Sequence, residues 1–138
     1  MPATEFIDTN VLVYAYDPLD RRKQQIARGL VRQAVDGLIM TSVQVLAEFS
    51  STLLHKRKNL SSPRDVCAAI DALAAIPVIT PDAGMVRRAI EAHEKYGVHF
   101  YDGMIVAAAE RAGCTRIWSE DLNAGQEYFG AVVENPFG

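Results

Sequence analysis

Four carboxylates in this chain sit where they could do chemistry together: Asp8, Glu48, Asp102 and Asp121. Asp8 opens the polar triplet Asp8-Thr9-Asn10, which separates the apolar run ending at Ile7 from Val11-Leu12-Val13. Asp121 belongs to Ser119-Glu120-Asp121-Leu122, just after the apolar pair Ile117-Trp118, and the adjacent Glu120 competes with it for any role. Carboxylates converging on one place repel one another unless a cation intervenes. A set of oxygen ligands without His or Cys suits a hard ion, Mg²⁺ or Mn²⁺. Mg²⁺ keeps several waters and recruits substrate phosphates, so phosphodiester hydrolysis is the reaction such a cluster would serve.

Each residue also has an ordinary structural explanation. Asp, Thr and Asn all cap helices, so Asp8-Thr9-Asn10 can simply start a short helix over Val11 to Tyr16. Asp8 can do both jobs, because a helix N-terminus keeps a carboxylate ionised, the state a metal ligand needs. Glu48 lies off the core stripe Leu46, Phe49 and Leu53 of its helix, as an exposed helical glutamate does. Asp102 falls in the first turn of a helix, where the dipole favours an anion. Glu120 or Asp121 can be turn residues.

The elements that must position these residues are legible in outline. A first strand over Ala3 to Ile7 ends at Asp8. After the turn Asp17-Pro18-Leu19-Asp20, Arg21 to Val35 reads as an amphipathic helix with Ile26, Leu30 and Val31 inward, stopped by Gly37. Leu38 to Thr41 is a short buried strand, and Ser42 caps a helix running to about Lys56. Ser62 and Pro63 open the next helix as cap and first residue, with Val66, Ile70 and Leu73 facing the core and Cys67 a small packed hydrophobe. Pro77-Val78-Ile79 is a third strand. Thr80-Pro81 repeats the cap-plus-proline start of a helix ending at Tyr96-Gly97. Met104 to Ala109 is a small-residue helix suited to close packing on a sheet, closed by Gly113. Arg116 to Trp118 is a fourth strand, 125–130 a loop, and Ala131 to Val133 a fifth strand at the sheet edge.

Strands alternating with helices imply a three-layer α/β/α domain with a central, mainly parallel sheet of about five strands. Ligands bind such sheets beyond the carboxyl ends of the strands, and right-handed crossovers bring every post-strand acidic residue to that edge.

Bulk properties agree with one soluble domain spanning 1–138. Its 138 residues suffice for a core, and 49% hydrophobic with 22% charged residues is ordinary globular composition. No apolar run approaches the ~20 residues of a membrane span, and no signal peptide is apparent. Two cysteines, Cys67 and Cys114, are too few for a disulfide framework, which makes a reducing cytoplasm the expected setting. A net charge of −3 argues mildly against general nucleic-acid binding. The groups Arg21-Arg22-Lys23, His55-Lys56-Arg57-Lys58 and Arg87-Arg88 read as solvated helix ends rather than phosphate tracks. His93 and His99 are six apart with Gly97 between them, which excludes the zinc-protease spacing of i and i+4.

Taken together, Phe-Ile-Asp-Thr-Asn at 6–10, Glu48 on the helix after the second strand, Phe-Tyr-Asp at 100–102 and Ser-Glu-Asp-Leu at 119–122 resemble the PIN-domain ribonucleases. The likeness is greatest to the VapC-type toxins of bacterial toxin–antitoxin pairs, and it runs through Gly125-Gln126 to the tail Asn135-Pro136-Phe137. The resemblance implies a PIN-like fold and a metal-dependent endoribonuclease. In it Asp8 and Asp102 are the main ligands of Mg²⁺ or Mn²⁺, Glu48 and Asp121 complete the site directly or through water, and Thr9, Asn10 and Ser119 hold carboxylates and metal waters. It further implies RNA as substrate, 5′-phosphate and 3′-hydroxyl products, a homodimer, a cognate antitoxin that blocks the site with a basic side chain, and a cytoplasmic protein.

Other readings fare less well. A phosphatase of the haloacid dehalogenase type needs a second Asp two positions after the first, where this chain has Asn10. The acidic pair and downstream Asp of a receiver domain cannot be placed. No Gly-rich phosphate loop or GxSxG elbow is present. The serious competitor is a catalytically inactive binding module of the same fold, since a fold does not guarantee activity.

Overall fold

A computed structural model describes residues 3–56 and 61–138; Arg57 and Lys58 of the second basic group lie outside it. Among the described residues the chain runs β1 (Glu5–Ile7), α1 (Thr9–Ala15), α2 (Arg21–Val35), β2 (Ile39–Ser42), α3 (Val43–His55), α4 (Pro63–Ala72), β3 (Val78–Ile79), α5 (Ala83–Tyr96), α6 (Phe100–Arg111), β4 (Arg116–Trp118), β5 (Glu127–Tyr128) and β6 (Ala131–Glu134). The strands form one sheet in the order β3-β2-β1-β4-β6-β5, parallel throughout except where β5 pairs antiparallel with β6.

Strand residues alternate between faces, and the neighbours Phe6 and Ile7 are both 0% exposed, so helices cover both faces at the centre of the sheet. Burying aliphatic and aromatic side chains such as these stabilises the fold by about 1.5–3 kcal/mol each. Helix α1 packs on α2 and α3, and α3 on α4, while α5 and α6 form a separate pair. The chain leaves β1 towards β2 and leaves β4 towards β6. That divergence makes the gap between β1 and β4 the topological switch point, where open α/β sheets hold ligands.

Several expected elements sit as the sequence suggests. Ser62 caps α4 in a full capping box with Asp65, with Pro63 as the first helical residue. Gly97 ends α5 in the left-handed region at φ 72°, which glycine enters without strain.

Others differ. The sheet has six strands, close to the expected five or so, and the additional one arises because 125–130 is not simply a loop: Glu127 and Tyr128 pair with Val132 and Ala131. The turn between them places Phe129 at φ 48° and Gly130 at φ 90°, the two positive angles of a primed two-residue hairpin. Phe129 lacks the Asn or Asp signature of such turns. Instead, its N–H donates to Tyr96 Oη at 3.0 Å, and the Arg88 guanidinium lies 3.5 Å from its ring centre. The strand Ala131–Glu134 is consequently internal, and β5 is the edge. Helix α5 starts after Asp82, whose carboxylate accepts the Met85 N–H at 2.9 Å, so Thr80-Pro81 only leads into it. Helix α1 begins at Thr9, two residues earlier than expected. Cys67 is exposed rather than packed, since α4 turns Val66, Ala69 and Leu73 inward.

Helix α6 owes its position to a glycine. A Cβ on Gly103 would stand 2.6 Å from the Ala89 carbonyl oxygen and 3.2 Å from Ala89 Cα. Only glycine allows α5 and α6 to approach so closely, so the small-residue run serves helix pairing as well as the sheet. Arg111 at the end of α6 bonds Asp82 at the start of α5, an antiparallel arrangement.

Candidate active site at the carboxyl edge of the sheet

Asp8 follows β1 directly, and its N–H donates to the Trp118 carbonyl of β4 at 3.0 Å, which fixes it over the switch point. It caps α1, one carboxylate oxygen accepting the Thr9 N–H at 2.7 Å. The other accepts the Ser119 hydroxyl at 2.8 Å and, at 3.4 Å, the Asn10 amide. The capping reading of this residue therefore holds, and the same carboxylate stands at the switch point of the sheet. Ser119 is fully buried, and its oxygen also accepts the N–H groups of Asp121 and Leu122 at 3.2 and 3.3 Å, tying the turn after β4 to Asp8. Nearby, Thr41 Oγ1 donates to the Ile7 carbonyl at 3.0 Å and holds the end of β1 against β2.

Asn10 is the hub. Its amide nitrogen donates to Asp121 at 3.2 Å and reaches Ser119 Oγ at 3.4 Å, while its oxygen accepts the Glu120 N–H at 2.9 Å. Glu120 and Asp121 consequently face different ways. The Glu120 carboxylate accepts the Tyr14 hydroxyl at 2.9 Å and forms an ion pair with Lys23. Asp121 turns towards Asn10 and adds its charge to the neighbourhood of Asp102 and Glu48.

Asp102 arrives in the first turn of α6. Glu48 comes from α3, one turn after Gln44, whose amide nitrogen lies 3.0 Å from Glu48 Oε1 and 3.1 Å from the Tyr101 carbonyl. The sequence reading missed this bridge between α3 and α6, as well as His99, whose Nδ1 accepts the Tyr101 N–H at 3.2 Å as the cap of α6. A cross-helix amide bridge leaves no spacing signal in one sequence. His93 Nδ1 is meanwhile engaged 2.7 Å from the Val98 carbonyl.

The electrostatics of the cluster are those of mutually repelling, partly buried carboxylates. Burial pushes the Asp8 carboxyl up to about 6, against the lowering effect of its bonds from Ser119 and the Thr9 N–H, with Glu48 and Asp102 adding repulsion. Burial also raises Glu48, opposed by Gln44 and reinforced by Asp102. Asp102 is raised by burial and by Asp121, with His99 acting the other way. Among the described residues none of the four carboxylates forms an ion pair. The Thr9 hydroxyl is buried there without a hydrogen bond of good geometry, the Glu48 carboxyl being the group it influences. These features fit a cation. No three acidic, His or Cys side chains among the described residues close into a ready cage; Mg²⁺ is an ion that keeps several waters and needs no all-protein cage. Beside the carboxylates runs an open cleft of about 390 Å³, lined by Thr9, Asn10, Tyr14, Glu48, Thr52 and Lys56 among others.

A model of the PIN domain family matches residues 6–126. The chain belongs to the PIN-domain family. A comparison with curated proteins gives no match. Among solved structures, this PIN domain is similar to Mycobacterium tuberculosis VapC20, a sarcin–ricin-loop-cleaving toxin, with a TM-score of 0.66 and 21% identity over 85% of this chain and 89% of that one. FitAcB from Neisseria gonorrhoeae gives a TM-score of 0.67 at 19% identity, covering 96% of this chain and 98% of that one. VapBC2 from Rickettsia felis, bound to a DNA fragment from its promoter, gives 0.67 at 18% identity, covering 95% and 97%. At these identities the likeness speaks for the fold alone. Among the described residues no helix is long and apolar enough to cross a membrane.

Proposed function

We propose that this PIN domain is a metal-dependent endoribonuclease and the toxin of a toxin–antitoxin pair. The observation that carries the reading is the coupling of Asp8, Glu48, Asp102 and Asp121 at the sheet's carboxyl edge, none of them in an ion pair among the described residues. Asp8 and Asp102 would hold Mg²⁺ or Mn²⁺, with Glu48 and Asp121 completing the site directly or through water. When bound, such an ion supplies a nucleophilic water at neutral pH and stabilises the charge on the leaving oxygen.

The protein's own residues do the positioning. Ser119 and the Thr9 N–H hold the two Asp8 oxygens in fixed directions and favour the ionised form. Asn10 sets Asp121 relative to Asp8, and the Lys23–Glu120 pair pulls Glu120 away from the centre. An RNA phosphate would enter along the cleft. VapC20 is a sarcin–ricin-loop-cleaving toxin, and VapBC2 is seen bound to a promoter DNA fragment; by analogy the substrate here is RNA and the partner a cognate antitoxin, with the toxin itself a homodimer in the cytoplasm.

The test is cleavage of a labelled total-RNA pool by purified protein with Mg²⁺ or Mn²⁺, with chelator, and beside Asp102→Asn. Discrete, metal-dependent products with 5′-phosphates, absent in the variant, are expected. No cleavage by well-folded, antitoxin-free protein would favour a binding module of the same fold. Cleavage that survives both chelator and substitution would refute the proposed site.

A further inference from the structure

Glu48, Thr52 and Lys56 follow one another at intervals of four, which places them on one face of α3 and its C-cap. All three line the cleft that opens beside the carboxylates. From Glu48 to Lys56 the helix rises about 12 Å, at 1.5 Å per residue, the length of a few nucleotides of single strand. The opposite wall is α1, with Thr9, Asn10 and Tyr14.

The cations near this cleft are not equivalent. Lys23 is committed to Glu120 and the Tyr14 hydroxyl, and it packs against the Tyr14 and Phe137 rings. Lys56 is exposed at the cleft and forms no ion pair among the described residues. In a chain of net charge −3 that also concentrates carboxylates here, a polyanion gains no general attraction; a local cation two turns from the site is then the feature that can hold it. The wall also says what kind of contact this is. Tyr14 has its hydroxyl on Glu120, its ring edge-to-face with Phe137 at 5.0 Å and Lys23 Nζ over it at 4.7 Å, so the ring is already engaged within the protein.

We propose that the Thr52–Lys56 stretch of α3 is a phosphate track for single-stranded RNA, on which Lys56 pairs with a backbone phosphate a few nucleotides from the one at the carboxylates and the Thr52 hydroxyl donates to the strand between them. The contact reads the backbone and not the base, so it sets affinity and the direction of the strand along α3. This revises the sequence expectation for Lys56, which as part of a basic helix end looked merely solvated. The inference rests on the endoribonuclease reading for which phosphate is cleaved, but the track itself is tested by binding.

The experiment measures binding of a fluorescein-labelled single-stranded RNA of mixed sequence to the Asp102→Asn protein, which holds the strand uncut, over a series of salt concentrations. Replacing Lys56 by Gln in that protein is expected to weaken binding roughly five- to tenfold and to lower the salt slope by about 0.7, the release expected for one phosphate on a single strand. Lys56→Arg keeps both, and Thr52→Val weakens binding about twofold with the slope unchanged, since it carries no charge. Equal affinity and slope for Lys56→Gln would overturn the track, even if wild-type protein cleaves RNA. A Lys56-dependent slope in a protein whose wild type never cleaves would support the track and reject the nuclease reading. Loss of antitoxin binding alone, with RNA binding intact, would assign Lys56 to the protein partner and overturn the proposal. Absence of any RNA binding would overturn both.

Discussion

Asp8 and Asp82 are the same residue in the same local role, each capping a helix by accepting a backbone N–H. Their carboxyls are nevertheless driven in opposite directions. Asp82 is held below the usual range, chiefly by its bonds from Arg111 and then by the Met85 N–H, in a region where Arg88 also pairs with Glu110 and Glu91. Asp8 is pushed up to about 6 by burial among other carboxylates. One end of the molecule spends each charge on a partner; the other accumulates like charge over the switch point of the sheet. Clusters of carboxyls shifted in this way are a mark of functional sites.

The comparison is most easily broken at Asp8. Asp8→Asn is expected to reduce RNA cleavage to background, and the same variant should be more stable than wild type in chelator at neutral pH. Because the folded carboxyl binds its proton more tightly than the unfolded one, its contribution to stability is fully present below about 3.8 and is lost as pH rises through about 6. At pH 7 the ionised group therefore destabilises metal-free protein, by at most about 3 kcal/mol at 1.36 kcal/mol per pH unit. Asn removes that penalty, less whatever is lost where its NH₂ meets a hydrogen-bond donor. Thermal melts from pH 4 to pH 8 should show the advantage growing with pH, and Mn²⁺ should raise the melting temperature of wild type but not of the variant. A variant less stable at every pH would contradict the account of Asp8.

Gly103→Ala sharpens the comparison from the packing side, because α6 joins the two regions. The added methyl has the Ala89 carbonyl 2.6 Å away, so the variant should lose about 1–3 kcal/mol in denaturant titration, the usual cost of overpacking. It should also cleave more slowly in folded form, since α6 must shift and carries Asp102 with it. Unchanged stability would mean that the helices separate freely at this crossing.

The smallest effect is expected at Asp82. With a lowered carboxyl the sign reverses: its contribution is present above the unfolded value and disappears as pH falls. Asp82→Asn should produce a slight fall in melting temperature at pH 7, none in strong acid, and no change in cleavage. A gain in stability at pH 7, as expected for Asp8, would erase the contrast between the two caps.

Much of the candidate site was legible from the chain alone, for a local reason. Asp8, Asp102 and Asp121 each stand beside a sharp change from an apolar run to polar residues or a helix start, and strand–helix alternation orders those changes along one sheet edge. Glu48 had no such local mark, since its helix presents it as an ordinary exposed residue. The choice between Glu120 and Asp121 was closed to sequence reasoning, because neighbouring residues share every local pattern; Lys23 and Tyr14 on one side and Asn10 on the other separate them. The hairpin at Phe129-Gly130 was missed because a phenylalanine at positive φ is sustained by Tyr96 and Arg88, contacts made between distant parts of the chain.

By itself the sequence determined the α/β alternation, the caps at Ser42 and Ser62 and the glycine stop at Gly97, since propensity, capping and periodicity act over a few residues. Tertiary structure alone decided which aspartate would be paired and which left among like charges, which acidic neighbour turns to Asn10, and that Lys56 borders the cleft. Burial and charge–charge coupling act through space, and only the folded chain sets those distances.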